Sequence, residues 1–570
     1  MVFKSRLAVK ISILLLAVLI FIGIITGCIL YANFTAKYST GAVASNGIEC
    51  AGLGRKIFEK GGTVADVAVT TILCEGIASP QSCGVGGGFI LVMYLKNQNL
   101  VKVLNARERA PRNSTADMYV ANPRESSNGG KAVAVPGDIK GLWELHQNHG
   151  KLPWKDLLQP IIDLCRNGIE VSITLAQMIK SYEDEVRAEA GLREIFINQA
   201  TNETFKAGEK YKNVKLAETL EIIARDGADA MYGGGEIGKK FVEDVQKHGG
   251  IMIEKDLRDY RAEWITPVST TIIDNSTLYT ASLPSSGSML ALMLNLLRND
   301  DIKPNAQGYH RIIEAMKIAF AHRTRIGAEL NEEVKSIMKQ MSEKSYADSL
   351  YNLISDQGTK NDASYYGAKT ADVDDKGTAH LSILALNGDA ISVTNTINDI
   401  FGAMFRSEQT GIIPNDEMDD FSVPGGPNSD GVVPSPNNFA IPGNNPISSM
   451  VPTIVVDANG EFRMAVGAAG GRRIISSTFT VLYRHLYFKE SLEKAMNASR
   501  FHHQLTPMEL VYEPNFDPEI LTYLNQTMGH RIRDYRSNIA NVVAISKING
   551  EVFANYDIRR SGSVEIFEGI

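Results

Sequence analysis

The sequence predicts an α+β fold that is preceded by one transmembrane helix. An uncharged run from Ile11 to Tyr31 is long enough to cross a bilayer as a helix. The pattern of residues 150–350 is mostly helical, whereas two β-rich runs flank the pair Asn387-Gly388. These three observations indicate a membrane-anchored protein of mixed helices and strands.

Composition excludes one large class of function. The 570 residues are 44% hydrophobic and 22% charged, which allows a large buried core and suggests about two to four domains. The formal net charge is −7, and no basic stripe is available to neutralise phosphates. We therefore expect no nucleic-acid partner.

The N-terminus predicts a signal anchor rather than a cleaved signal peptide. Lys4, Arg6 and Lys10 precede the apolar run, which is longer than a typical signal-peptide core. The basic flank should keep residues 1–10 in the cytoplasm, with residues 11–31 in the membrane and everything after Ala32 outside. The expected location is the plasma membrane, as a single-pass type II protein with an extracellular ectodomain.

Acceptor sites for N-glycosylation support the outside assignment. Each has the pattern Asn-X-Ser/Thr, and their number fits a secreted glycoprotein. They lie at Asn33, Asn113, Asn202, Asn275, Asn497 and Asn525.

The cysteines are few. Cys28 lies in the expected membrane span, and the others could form bridges in an oxidising compartment, with the pairing left open. These others are Cys50, Cys74, Cys83 and Cys165. No spacing among them matches a zinc site, so we expect no metal.

The first part of the ectodomain alternates helical and β patterns. Helices are predicted over Gly54 to Lys60 and Val64 to Ile77, and a strand over Phe89 to Leu95. The glycine run Gly84 to Gly88 lacks the Lys-Ser/Thr ending of a phosphate loop and is better explained by close packing. Further on, Arg107 is either a surface charge or a bidentate clamp for a carboxylate.

Thr378 is the candidate nucleophile. Gly377 precedes it, and the runs around Asn387-Gly388 predict a β-hairpin with a tight two-residue turn, so that Thr378 stands where a strand begins. If the chain were cut before Thr378, its hydroxyl would be the nucleophile and its own α-amine the base. Gly377 lacks a Cβ, which would let the backbone adopt a conformation suited to that cut.

Two later stretches add candidate site residues. The cluster from Asn415 to Phe421 includes Met418 and Phe421, so some of its carboxylates should point inward, where they could bind an ammonium group. Strands are predicted over Thr453 to Val456 and Phe462 to Val466, followed by Gly467 to Gly471 and a helix from near Arg472. Glycines at such a junction expose N–H groups that can stabilise an oxyanion.

Taken together, these motifs resemble the γ-glutamyltranspeptidase family. The small-subunit blocks are Gly377 to Ser382, Asn415 to Ser422, Pro446 to Thr453 and Val466 to Gly471. The large-subunit blocks are Ser82 to Gly88 and Asn105 to Glu108. The likeness covers roughly residues 38–570, and the order of the blocks is highly specific.

The resemblance implies a fold, a processing event and a set of partners. The fold is an N-terminal-nucleophile hydrolase with a four-layer αββα sandwich. The precursor is cut into a large anchored subunit, with residues 32–377 outside, and a small subunit, residues 378–570, which remain together as a heterodimer. Donors are glutathione and other γ-glutamyl compounds, acceptors are water, amino acids or dipeptides, and no cofactor is needed.

The resemblance also implies roles for individual residues. Thr378 is the nucleophile, Thr396 hydrogen-bonds the free amine, and Gly470 and Gly471 bind the oxyanion. The γ-glutamyl head group is held by Arg107, Asn398, Glu417, Asp420, Ser448 and Ser449. Cys50 and Cys74 match the pair that is bridged in animal members, whereas Cys83 stands where many members carry methionine.

Two questions stay open at this point. A strict two-residue turn places Thr378 opposite Ile397 and turns Thr396 and Asn398 to the other face of the sheet, whereas a bulge or a longer loop brings them round. The alternatives for function are an acylase of the same architecture and a catalytically silent surface glycoprotein. Arg107 with Glu417 and Asp420 disfavours the first, and the complete set of polar residues disfavours the second.

Overall fold

The computed structural model describes residues 17–27, 40–297, 302–328, 330–370, 377–425, 434–535 and 539–569. Residues 17–27 form a helix (α1) whose apolar side chains are exposed. Within the described ranges, no helix combines the length and the apolar character that crossing a membrane requires. The remainder of the expected span, with Cys28, and the acceptor Asn33 lie outside the described residues.

Helices occupy most of the first two thirds of the ectodomain, as expected. After α1, the α-helices are α2 (Cys50–Glu59), α3 (Val64–Ala78), α4 (Asp138–His149), α5 (Trp154–Asn167), α6 (Ile173–Ser181), α7 (Glu183–Ala188), α8 (Ala190–Phe196), α9 (Val214–Asp226), α10 (Asp229–Tyr232), α11 (Glu236–Lys247), α12 (Glu254–Asp259), α13 (Gly287–Leu296), α14 (Ala306–Arg323), α15 (Glu332–Ser342), α16 (Lys344–Leu350), α17 (Arg473–Leu486), α18 (Leu492–Asn497) and α19 (Pro518–Thr522).

Strands come from both ends of the ectodomain and from its middle. They are β1 (Thr40–Ser45), β2 (Gly88–Leu95), β3 (Leu100–Ala106), β4 (Ile169–Glu170), β5 (Ile197–Asn198), β6 (Glu203–Thr204), β7 (Lys210–Tyr211), β8 (Glu263–Ile265), β9 (Pro267–Thr271), β10 (Thr277–Ala281), β11 (Ala379–Leu384), β12 (Ala390–Thr396), β13 (Thr453–Val456), β14 (Phe462–Ala469), β15 (Phe501–His502), β16 (Leu510–Tyr512), β17 (Ile532–Asp534), β18 (Asn541–Ile548), β19 (Glu551–Tyr556) and β20 (Ser563–Glu568).

Two large sheets form the centre of the molecule. The first has the order β20-β1-β11-β12-β2-β3-β8, and the second has the order β19-β18-β14-β13-β10-β9. Helices α2, α3 and α4 pack on the outer face of the first sheet, and α13 and α17 pack on that of the second. The α+β class is thus confirmed, and the layers run helix, sheet, sheet, helix.

The apolar pattern of the strands explains why the sheets face each other. Ile90, Val92, Ile454, Val543 and Ile545 are fully buried in a cluster between the sheets. Alternate residues of the same strands turn to the helices, as a period of two requires. Each sheet is therefore covered on both faces, which agrees with its nearly continuous apolar strands.

Helices α2 and α3 confirm two sequence predictions and join them covalently. Helix α3 begins with a capping box in which Thr63 and Asp66 bond each other's backbone N–H groups. It is apolar on all sides and almost entirely buried, as such a helix must be. A disulfide links Cys50 on α2 to Cys74 on α3, whereas Cys83 and Cys165 are buried free thiols.

The hairpin turn differs from the two-residue turn that we expected. Strand β11 pairs β12 with Leu384 opposite Ala390, and the N–H of Ala385 donates to the carbonyl of Asp389 at 2.9 Å. The loop is therefore three residues, Leu386 to Gly388, and Gly388 has a φ of +87°. Glycine at this position is typical of a turn followed by a bulge, which shifts the register by one residue.

The other differences are smaller. Strand β14 continues to Ala469, so the glycine junction before α17 consists of Gly470 and Gly471 and does not begin at Gly467. The mostly helical region 150–350 also supplies β8 to the first sheet and β9 and β10 to the second. In the sequence, Asp356 to Lys376 suggests a linker. Its described part is packed instead, because Thr359 and Tyr366 hydrogen-bond Glu314 of α14 at 2.5 and 2.8 Å; residues 371–376 lie outside the described part.

Candidate active site

Thr378 lies at the entrance to β11, directly before the first paired residue. Continuing the register in which Ala379 faces Asn395 places Thr378 opposite Thr396, on the same face of the sheet. The three-residue loop therefore resolves the question of register in favour of Thr396. Both side chains are buried, with 5% and 3% of their surface exposed, so the site is closed in the uncut chain.

The peptide bond before Thr378 is surrounded by hydroxyl groups. The Thr378 hydroxyl donates to the carbonyl oxygen of Gly377, its own predecessor, and the Thr396 hydroxyl donates to the same oxygen at 2.7 Å. A nucleophile and a second donor thus meet at one carbonyl. An attack by Thr378 on the Gly377 carbonyl needs both groups at this bond.

Position 377 must be glycine because there is no room for a side chain there. Its φ is not in the left-handed region, so the conformational reason that we expected does not apply. A Cβ at this position would lie 2.1 Å from the carbonyl oxygen of Asn398. The loop after β12 therefore presses against the bond that would be cut, and only glycine fits between them.

Asn398 connects the nucleophile to the acidic cluster. Its backbone has a φ of +71°, and its N–H donates to the Thr396 hydroxyl at 2.9 Å. Its amide nitrogen donates to the carbonyl of Asp416 at 3.2 Å, and the N–H of Asp416 returns a bond to the carbonyl of Ile397. The cluster is thus held beside the end of β12.

Arg107 joins the two inward carboxylates of that cluster. It follows Ala106, the last residue of β3, and it is 1% exposed. One guanidinium nitrogen lies 2.6 Å from Glu417, and another pairs with Asp420. Pro446 supplies a carbonyl that accepts from Nε at 3.0 Å. The predicted cation and anions of the head-group site therefore meet, and in this structure they pair with one another.

The predicted serines and glycines lie in two segments that border strands of the second sheet. Ser448 and Ser449 follow the carbonyls that bond Arg107, and the Ser449 hydroxyl accepts from Arg323 of α14 at 3.3 Å. Gly470 and Gly471 follow β14, with φ values of +130° and +62°. Gly467 of the same strand packs against the ring of His380, two residues after Thr378.

Sequence reasoning gave no role to two buried carboxyls, Glu108 and Asp138. Burial raises the pKa of Glu108 and of Asp138 to about 8 each. Glu108 lies 4.0 Å from a nitrogen of Arg107, and among the described residues neither carboxyl has a hydrogen-bond partner. For Glu108 the sequence did contain a signal, because this residue directly follows Arg107 in the block Asn105 to Glu108. No pattern in the sequence singles out Asp138.

His380, two residues after Thr378, is a buried neutral side chain with polar partners on neighbouring strands. Its Nδ1 contacts the hydroxyl of Thr394 at 2.8 Å, and its Nε2 faces Ser382 and Ser392. Burial lowers its pKa to about 3, so the ring is uncharged at neutral pH. It supports the sheet and supplies no charge to the site.

One cluster in the described ranges has the spacing of a metal site, and it lies outside the groups around Thr378. His310, Glu314 and His530 place one ligand atom each within 4.8 Å of one another. However, the ammonium of Lys317 lies 3.3 Å from Glu314, and Thr359 and Tyr366 also bond that carboxylate. A buried cation already balances Glu314, so the cluster has the character of an internal ion-pair network.

Comparison with known proteins gives one family over nearly the whole ectodomain. A family model described as Gamma-glutamyltranspeptidase matches residues 50–567. The chain is 37% identical to Scoloptoxin SSD14 of Scolopendra dehaani, over 94% of this chain and 93% of the relative. It is 38% identical to Glutathione hydrolase 2 of Arabidopsis thaliana, over 83% and 82% of the two chains.

A solved structure matches the fold. The crystal structure of cephalosporin acylase from Bacillus halodurans superposes with a TM-score of 0.79, at 22% identity, over 92% of this chain and 96% of the acylase. At this identity the likeness concerns the fold alone. It leaves the acyl donor of this chain to be argued from the site.

Proposed function

This chain belongs to the γ-glutamyltranspeptidase family, and on that premise we propose that Thr378 cuts its own chain and then transfers γ-glutamyl groups. The enzyme is a γ-glutamyltransferase and glutathione hydrolase of the N-terminal-nucleophile class. The geometry around Thr378 and Arg107 supports a role for individual side chains in each step.

The observation that supports self-cleavage is the position of the Thr378 hydroxyl against the Gly377 carbonyl. In the proposed step the hydroxyl oxygen bonds to the Gly377 carbonyl carbon, the bond from that carbon to the Thr378 nitrogen breaks, and the hydroxyl proton ends on the nitrogen. Thr396 donates to the carbonyl oxygen while charge develops there. Water then hydrolyses the ester, which frees the Gly377 carboxylate and the Thr378 hydroxyl.

The freed residue then has what the second reaction needs. The α-amine of Thr378 takes the proton from its own hydroxyl, which attacks the γ-carbonyl of the donor and forms an ester. The rest of glutathione leaves as an amine. Water, an amino acid or a dipeptide then attacks the ester, and Gly470 and Gly471 donate backbone N–H groups to the oxyanion in both halves of the reaction.

Charge decides between a γ-glutamyl donor and a plain acyl donor. The head group of a γ-glutamyl compound carries one α-carboxylate and one α-ammonium group. Arg107 suits the first, and Glu417 and Asp420 suit the second, with Asn398, Ser448 and Ser449 as further hydrogen-bonding groups. A plain acyl group carries no charged groups that could pair with this buried set of opposite charges, so the acylase alternative is disfavoured.

Topology is a separate part of the proposal. Residues 11–31 are proposed to anchor the protein with its ectodomain outside the cell. Among the described acceptor asparagines, Asn113, Asn202, Asn275, Asn497 and Asn525 are all exposed, as glycan attachment requires. Glycosidase treatment of the intact protein should increase its electrophoretic mobility, and an unchanged mobility would count against an outside location.

A chromogenic γ-glutamyl anilide tests the proposed function. The wild-type protein should release the aniline, and electrophoresis should show two chains, the smaller beginning at Thr378. Thr378→Ala should remain one chain without activity because it lacks a nucleophile. Thr378→Ser keeps a hydroxyl and should cleave more slowly, with some activity left. An active protein that runs as a single chain would show that the mechanism is wrong.

A further inference from the structure

Arg560 contacts the candidate nucleophile from a distant part of the chain. It lies in the connection between β19 and β20, the edge strands of the two sheets. Its guanidinium Nη1 donates to the carbonyl oxygen of Thr378 at 2.5 Å, across 182 residues of sequence. The candidate nucleophile is therefore held by a group that no local motif could have identified.

The environment of Arg560 is unusual for a buried cation. The residue is 7% exposed, and within the described part of the chain its Nε and Nη2 have no hydrogen-bond partner. By contrast, the buried guanidinium groups of Arg107, Arg406 and Arg500 each pair with a carboxylate. A buried charge without a paired anion is costly, so a compensating function is expected at this position.

The next carbonyl along the chain is held as well. Asn395 lies opposite Ala379, and its amide nitrogen is 2.9 Å from the Ala379 carbonyl and 3.1 Å from Glu75, with the amide oriented to satisfy both. Glu75 of α3 also accepts from the hydroxyl of Ser45 and the N–H of Asn46. The two carbonyls that follow the cut are thus held by two side chains, Arg560 and Asn395, and Glu75 holds Asn395 in turn.

We propose that Arg560 is a positioning residue for the N-terminal nucleophile: it holds the Thr378 carbonyl and places a fixed positive charge beside the α-amine that the cut exposes. This inference rests on the proposed function, in which that amine is the base. A base must be unprotonated to act, and a neighbouring cation disfavours the protonated form of an amine. Arg560 would therefore extend activity toward lower pH.

The other ionisable groups near this end of β11 do not offset the charge fully. Burial raises the pKa of the Glu75 carboxyl and of the Cys83 thiol, whereas the charge of Arg560 acts on both groups in the opposite direction. His380 is neutral, as described above. Asp399, in the loop after β12, is an acid beside Gly377, and it is half-buried. A guanidinium in this setting stays protonated and supplies the local positive charge.

The test compares the pH dependence of kcat/KM in the wild type, Arg560→Lys and Arg560→Gln, using the γ-glutamyl anilide and only fully cleaved protein. Removal of the charge in Arg560→Gln should move the acid limb to higher pH by about one unit. Arg560→Lys keeps the charge but loses the planar fork, so its acid limb should stay in place while kcat falls. Arg406→Gln is the matched control, because it removes a buried arginine that bonds Glu194 and Asn213 instead. That control should leave the limb unchanged.

A second measurement covers the case in which Arg560→Gln fails to fold or to cleave. Amine-selective labelling of the cleaved wild-type protein across pH should give the Thr378 amine a pKa below the ordinary range of about 7.7–8.0. An amine at or above that range, or equal acid limbs in all variants, would overturn the role of Arg560. A wild-type protein without anilide activity would refute the proposed function instead, so the two failures are distinguishable.

Discussion

Two buried clusters of arginine and acid residues have similar composition and very different charge balance. One cluster pairs two cations, Arg500 and Arg559, with two anions, Asp557 and Glu513. Around Arg107, one cation faces three carboxyls, Glu108, Glu417 and Asp420. Both central arginines are 1% exposed, so burial does not distinguish them.

The difference lies in the charge balance of the two clusters. In the cluster around Arg500, backbone groups add to the network: Glu513 accepts from the N–H groups of Arg500 and Ile539, and Asp557 accepts from that of Val542. Each cluster has one group without a hydrogen-bond partner in the described part of the chain, the Nε of Arg500 in one and the carboxyl of Glu108 in the other. The cluster around Arg107, however, has an excess of acid. A charge-balanced network stabilises the fold, whereas an unbalanced one has a place for a ligand cation.

The largest effect should come from breaking the unbalanced cluster. Arg107→Ala or Asp420→Ala removes one partner of a desolvated charge pair, which typically costs about 2–5 kcal/mol, or about 30-fold to several-thousand-fold in kcat/KM. Processing before Thr378 should continue in both variants. Steady-state kinetics with a γ-glutamyl anilide measures the loss, and near-normal values in either variant would remove that residue from the site.

Breaking the balanced cluster should affect stability instead. Arg500→Gln leaves Asp557 with one cation fewer and should lower the free energy of unfolding by about 3–5 kcal/mol. Protein that remains folded should lose far less kcat/KM than Arg107→Ala, because Arg500 bonds Met496, Ala540 and Asp557 and reaches the candidate site only through their neighbours Gly470 and Arg560. Thermal unfolding and kinetics on the same preparation check this. A selective loss of kcat/KM with unchanged stability would contradict the assignment.

The unpartnered carboxyls should make stability depend on pH. The pKa of Asp138 is about 8 in the folded protein against an ordinary 3.8, so the folded state binds more protons than the unfolded state between these values. The stability contributed by this group is present below about pH 4 and is lost as pH rises toward 8. Asp138→Asn should therefore lose less Tm than the wild type between pH 5 and pH 8.5. Asp163→Asn, an exposed position, is the control, and identical slopes in all three proteins would refute the prediction.

The smallest effect is expected at an exposed ion pair between the two ends of the ectodomain. Arg55 of α2 contacts Glu565 of β20 at 3.1 Å, with 44% and 35% of the side chains exposed. Solvent screens such pairs, so Arg55→Gln should leave Tm and kcat/KM unchanged within error. A clear drop in Tm would contradict this prediction and would mean that the exposed pair stabilises the fold despite solvent screening.

The sequence was sufficient for the parts of the site that reside in continuous motifs. Thr378 with its preceding glycine, the acids Glu417 and Asp420, and Arg107 all stand in short blocks whose chemistry is readable from residue type. The α+β class and the helices α2 and α3 follow from periodicity. In these cases the local pattern and the tertiary structure agree.

The features that the sequence could not predict depend on contacts between distant segments, or on a difference of one residue in the length of a loop. Asn387-Gly388 favours a two-residue turn, and only the pairing of β11 with β12 shows the third loop residue that brings Thr396 opposite Thr378. Arg560 reaches Thr378 from the far end of the chain. The steric need for Gly377 arises from Asn398, and the burial of Asp138 from helices packed around it.

The strand order has a consequence for the product of the cut. Cleavage before Thr378 would leave β1 on the larger fragment, yet β1 is paired between β20 and β11 of the smaller one. In the second sheet, β10 of the larger fragment pairs with β13 of the smaller. Each sheet would then contain hydrogen-bonded strands from both chains, so the chains could not separate without disrupting both sheets. Heat or denaturant should then inactivate the mature enzyme irreversibly, because two loose chains would have to re-form a topology that was first made by one.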